Sequence, residues 1–147
     1  MSAFESVLES IKRWEPKMLP NELEYRDSLV SHLRGQLRDA KVEPEYRHLG
    51  TTTDIYVKQS GFFGASEVFL ELKRNLTSKA QLDRLVGQIE SLEPKKNFVI
   101  LVLCGKTNPT LLARLRERYR VPKEKGLLVI REEKLEIVTK EHSVSPT

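Results

Sequence analysis

Asp54, Glu71 and Lys73 are the residues whose types and spacing suit them to chemistry. Glu71 and Lys73 stand two apart in the run Val68-Phe69-Leu70-Glu71-Leu72-Lys73. In a strand, residues i and i+2 share a face, so these two charges point one way while Leu70 and Leu72 point the other. Asp54 lies in a second strand-like run, Thr51 to Val57, joined to the first through Gly61-Phe62-Phe63-Gly64. If the two runs pair as a hairpin, Asp54 comes alongside Glu71, and two carboxylates meet an ammonium. Two hard oxygen donors at one spot suit Mg²⁺, which is held by one or two carboxylates and otherwise keeps waters and substrate phosphate oxygens.

Several elements must position this group. Phe4, Val7, Leu8, Ile11 and Trp14 recur at helical spacing until Pro16 and Pro20 stop the pattern, giving a short amphipathic helix that caps the core or pairs with a copy of itself. Asn21 is a plausible N-cap for a second helix from about Glu22 to Arg38, with Leu29, Val30, Leu33 and Leu37 inward. At about 100° per residue, Glu22 falls roughly 20° from Leu29 on the inward face, whereas Glu24 falls about 140° away. Val42 to Leu49 reads as an irregular first strand, followed by the two strands of the central stretch. Ser78 to Leu92 is helical, with Leu82, Leu85, Val86 and Ile89 inward. Phe98 to Cys104 is an unbroken apolar run, the pattern of a strand covered on both faces. Asn108 and Pro109 open a helix that reaches about Tyr119, and strands at 127–131 and 135–139 follow a turn apart, before a frayed tail. The predicted order is α, α, β, β, β, α, β, α, β, β, without repeats.

The chain has 147 residues, 39% of them hydrophobic and 31% charged, enough for one domain with a real core. Its formal charge of +4 allows a polyanionic partner without requiring one. The longest apolar run is too short to cross a bilayer, and the first residues lack a basic segment followed by an apolar one, so the expectation is an intracellular, cytoplasmic protein with no membrane partner. A single cysteine, Cys104, rules out an internal disulfide and reads as a buried inert thiol.

Taken together, a helix with an inward Glu22, a strand with Asp54, a strand with Glu71-Leu72-Lys73, a helix with glutamines and then a buried strand resembles the PD-(D/E)xK nuclease superfamily. The resemblance covers about residues 21 to 105, with Thr53 where the motif's proline would stand. It implies an α/β, three-layer restriction-endonuclease-like fold, a central mixed β-sheet flanked by helices. The whole chain then reads as one such domain: an N-terminal helix arm over 1–20, a nuclease core over 21–105 and a C-terminal helix and strands over 106–140. The implied activity is Mg²⁺-dependent hydrolysis of phosphodiester bonds in DNA, with Mn²⁺ able to substitute and endonuclease action favoured over exonuclease. In that reading Asp54, Glu71 and the backbone carbonyl of Leu72 ligate the metal, which neutralises charge building on the phosphate and lowers the pKa of a bound water. Lys73 orients or helps deprotonate that water, and Glu22 acts from the first helix of the core on a metal-bound water or a second metal; the plain alternative for Glu22 is an exposed first-turn glutamate favoured by the helix dipole.

The resemblance also implies a catalytic glutamine on the helix that follows Glu71-Leu72-Lys73, and between Gln81 and Gln88, which read otherwise as polar positions on a half-buried helix, the levels decide. From Glu71 to the strand's end is about 13 Å at roughly 3.3 Å per residue, and a helix returning antiparallel from about Lys79 needs about nine residues to come back level, which reaches Gln88 rather than Gln81. Arg74, Lys79, Arg114 and Arg118 are the candidate nucleic-acid contacts, the last two within a basic run that reads equally as a solvated helix face. Alternatives to a deoxyribonuclease are a catalytically inactive nucleic-acid-binding module of the same fold and an RNA-directed nuclease. The plain alternative for Glu71-Leu72-Lys73 is a strand with a solvated polar face. Against it stands the apolar setting, since covered charges are costly unless paired or metal-bound. A homodimer is suggested by analogy alone. Gly105-Lys106-Thr107 follows a strand as a P-loop's end would, but Ile100 stands where that motif needs glycine, so no nucleotide cofactor is expected. His32, His48 and His142 have no ligand spacing.

Overall fold

A computed structural model describes residues 2–61, 64–119 and 135–141. The order of elements is α1 (Ala3–Arg13), α2 (Glu22–Gln36), β1 (Ala40–His48), β2 (Thr51–Gly61), β3 (Gly64–Arg74), α3 (Lys79–Ser91), β4 (Phe98–Cys104), α4 (Pro109–Arg118) and β5 (Leu135–Lys140). The strand expected over 127–131 and the turn after it lie outside the described residues.

Local chemistry accounts for the helix boundaries. Ser2, Asn21, Ser78 and Asn108 each accept a backbone N–H of the first turn of α1, α2, α3 and α4. At α3 the capping is reciprocal, since the Gln81 side chain returns to the backbone N–H of Ser78. Pro109 occupies the first turn of α4, where its missing N–H costs nothing.

Among the described residues five strands lie in chain order, β1-β2-β3-β4-β5, in one mixed sheet. β1, β2 and β3 form an antiparallel meander, and β3, β4 and β5 run parallel. Parallel neighbours need crossovers, which α3 and α4 supply. Both crossovers step the same way across the sheet, so crossovers of one hand leave both helices on the same face. α1 and α2 cover the other.

Two apolar cores result. Leu70, Leu72, Ile100 and Val102 pack with Val7 and Ile11 of α1 and Leu29 and Leu33 of α2, so α1 caps this core. Phe69, Val99, Leu101 and Leu103 pack with Leu82, Leu85 and Ile89 of α3 and Leu111 and Leu115 of α4. Alternation along β4 feeds both cores, which is why its sequence is apolar throughout. Cys104 is a free, fully buried thiol, and burial pushes its pKa up to about 12.

The parallel strands end in a fixed junction. Asn75, at φ 56°, donates its N–H to the carbonyl of Cys104 at 3.0 Å and accepts from the N–H of Lys106 at 2.9 Å through Oδ1. Gly105, at φ 70°, lies so close that a Cβ there would stand 2.3 Å from Asn75 Oδ1. Only glycine meets both demands. Among the described residues, no helix is long and apolar enough to cross a membrane.

Candidate active site

The β2–β3 ladder pairs Val57 with Val68 and Ile55 with Leu70, and one step further along this register Asp54 stands opposite Glu71. Tyr56 and Phe69 belong to the core under α3 and α4, so alternation puts Asp54, Glu71 and Lys73 on that same face. Side chains take over hydrogen bonding where the ladder ends. Thr53 Oγ1 donates to the carbonyl of Leu70 at 3.0 Å, and Asp54 Oδ2 accepts the N–H of Leu72 at 2.8 Å.

Glu71 is the unusual member. It is only 3% exposed, and its Oε1 has no hydrogen-bond partner. Burial, and next the charge of Asp54, push its pKa up to about 9, against a weaker opposite pull from the Thr53 hydroxyl and the Asp54 backbone N–H. Two carboxylates this close cannot both ionise without cost, so at neutral pH Glu71 keeps its proton.

Beside the pair lies a cleft of about 230 Å³ lined by Glu22, Asp54, Leu72, Lys73, Gln81, Arg84, Leu85 and Gln88, with Glu71 buried next to Asp54 and not itself part of the lining. Leu72 points its side chain into the opposite core, so what it brings to the cleft is main chain. Its N–H and C=O lie on the same side of the strand, facing the gap where β2 departs. Glu22 reaches round the end of the sheet from α2. Its Oε1 accepts the N–H of Arg74 at 2.8 Å and stands 3.9 Å from Lys73 Nζ. Lys73 is thus held at the cleft's edge, its side chain 26% exposed.

The other expected residues divide. Gln88 lines the cleft, but so does Gln81, which the level of the returning helix had placed farther away. Gln81 is committed elsewhere: its carboxamide oxygen accepts from the N–H groups of Thr77 and Ser78. Glu24 lies apart, lining a groove with Trp14, Ser28 and His32. Arg74 turns away from the cleft and donates from Nε to the carbonyl of Leu19. Lys79 is exposed at the start of α3. Arg114 and Arg118 line a separate groove between α3 and α4, where Arg118 pairs with Glu90 at 3.3 Å, so neither borders the carboxylates. Arg84, which does line the cleft, was not among the expected contacts. Its position three residues after Gln81 and four before Gln88 was the available signal.

Among the described residues, no group of three or more histidine, cysteine, aspartate or glutamate side chains is disposed to hold a metal. The groups here with the chemistry to hold a hard cation are the Asp54 and Glu71 carboxylates, Glu71 giving up its proton to do so, with the Leu72 carbonyl; the buried Glu71 Oε1 that lacks a hydrogen-bond partner fits such a role. Comparison of the chain with protein-family profiles, with curated proteins and with solved structures finds no match.

Proposed function

We propose that the protein is a Mg²⁺-dependent nuclease that hydrolyses phosphodiester bonds in DNA, with the α/β sheet and its helices forming a restriction-endonuclease-like fold. The observation that carries this reading is Glu71: a carboxyl group buried in an apolar strand, with one oxygen unsatisfied, held against Asp54 and two residues from Lys73 on the same face. A polar group buried without a partner costs stability. A scaffold with no use for a second carboxylate here would gain by placing an apolar residue in its stead.

Asp54, Glu71 and the Leu72 carbonyl would hold the Mg²⁺, which when bound offsets charge on the phosphate and lowers the pKa of the attacking water. Lys73, tethered by Glu22, presents an ammonium to the same cleft and orients the attacking water. Glu22 fixes the end of β3 through Arg74 N–H, so it positions Lys73 rather than reaching the carboxylate pair. Gln88 borders the cleft as a neutral donor and acceptor. In the reaction a water oxygen bonds to phosphorus, one P–O ester bond breaks, and the departing oxygen takes up a proton.

The test is incubation of the purified protein with supercoiled, linear and branched DNA, and with RNA, in Mg²⁺, Mn²⁺ or EDTA. Cleavage of DNA with either metal and none in EDTA is expected. Binding without cleavage under every condition would leave a non-catalytic module, and cleavage confined to RNA would reassign the substrate.

A further inference from the structure

We infer that Arg84 is the substrate-phosphate contact of this cleft, an inference that rests on the nuclease reading. The cleft has two cationic side chains, and they are not equivalent. Lys73 is engaged with Glu22 at 3.9 Å. Arg84 makes no ion pair and no hydrogen bond to any described residue, yet it faces a cleft whose other charged groups include Glu22 and Asp54. A polyanionic strand entering such a cleft meets carboxylates, and a guanidinium opposite them with no partner among the described residues offsets that repulsion. Its planar fork of N–H donors matches two phosphate oxygens at once, which an ammonium does not.

Position supports the same role. α3 starts at the C-terminal end of β3 and returns antiparallel, so its first turns overhang the carboxylates. On the face that lines the cleft, Gln81 is tied to the helix cap, which leaves Arg84 and Gln88 as the groups on α3 able to meet a ligand. Arg84 is exposed and makes no hydrogen bond or ion pair to any described residue, so its removal should leave the fold intact. The strand is therefore gripped between α3 and the β2–β3 carboxylates.

The experiment is fluorescence anisotropy of labelled duplex DNA with full-length wild type, Arg84→Ala, Arg84→Lys and, as control, Lys95→Ala at the opposite end of β4, each over a salt series in EDTA and in Ca²⁺. Cleavage kinetics in Mg²⁺ follow. For Arg84→Ala we expect affinity to fall about tenfold, the salt slope to shrink by about one ion, and KM to rise with kcat little changed. Arg84→Lys should recover part of the affinity and all of the slope, while Lys95→Ala should match wild type. Wild-type binding with Arg84→Ala unchanged in affinity and slope would overturn the assignment alone. Absence of DNA binding and cleavage by the wild type would overturn the nuclease reading and this inference with it.

Discussion

Asp54 Oδ2 accepts the backbone N–H of Leu72 at 2.8 Å, so this carboxylate does the work of a ladder carbonyl just where β2 and β3 separate. One residue thus holds the strands together and supplies charge to the cleft. Asparagine separates the two roles, because its side-chain oxygen still accepts while its charge is gone. Asp54→Asn should stay close to wild type in urea unfolding at neutral pH, whereas Asp54→Ala, which leaves the Leu72 N–H unsatisfied, should lose about 1–3 kcal/mol. Both should lack Mg²⁺-dependent cleavage. Equal stability of the two variants would show that the hydrogen bond contributes nothing.

Glu71→Ala and Lys73→Ala should each abolish Mg²⁺-dependent cleavage but differ in DNA binding. Affinity for DNA rests on phosphate contacts from many basic groups, so it survives the loss of one catalytic group. Glu71 holds its proton in the metal-free protein, so removing it takes no charge from the cleft and metal-free affinity should hold. Removing Lys73 takes a cation from the cleft, and affinity should fall modestly. Nuclease activity surviving both substitutions, in protein freed of host nucleases, would place the chemistry elsewhere.

The raised pKa of Glu71 makes a prediction about pH. Below the unfolded value, about 4.3, the carboxyl is protonated in both states and stability is unaffected. Above it the unfolded chain releases a proton that the folded chain keeps until about pH 9. The folded state then binds more protons, so stability falls as pH rises across this window, with a limiting slope of about 1.4 kcal/mol per pH unit. Urea titrations in EDTA from pH 5 to 9 should show this decline in wild type and a flatter profile in Glu71→Gln. Parallel profiles would mean that Glu71 ionises normally in the folded protein.

Gly105→Ala should destabilise the protein by about 1–3 kcal/mol, since the new Cβ meets Asn75 Oδ1 and the residue sits at positive φ. Thermal unfolding measures it. The companion Gly87→Ala has open space and helical backbone, so it should be neutral or stabilising by up to about 1 kcal/mol. A Gly105→Ala protein as stable as wild type would show that the strand junction relaxes freely.

Much of this arrangement was local and therefore legible in the sequence. The periods of α1, α2 and α3 and the apolar run of β4 follow from which residues face a core, and the bounds read from them fall within a few residues of the observed ones. The shared face of Glu71 and Lys73 needs only the alternation of a strand, and the meeting of Asp54 with Glu71 needs only the hairpin. Relationships between distant segments were not legible. Glu22 was placed inward by its helical phase, but phase could not show that its carboxylate would hook the N–H of Arg74, 52 residues away. The levels of Gln81 and Gln88 were read from helix rise alone, whereas the width of the cleft, set by how α3 packs on the sheet, admits both. That same packing brings Arg84 to the carboxylates and turns Arg114 and Arg118 into another groove. A basic residue's neighbours are chosen by the face its helix buries, and that choice is made by the two crossovers around β4, not by any short stretch of chain.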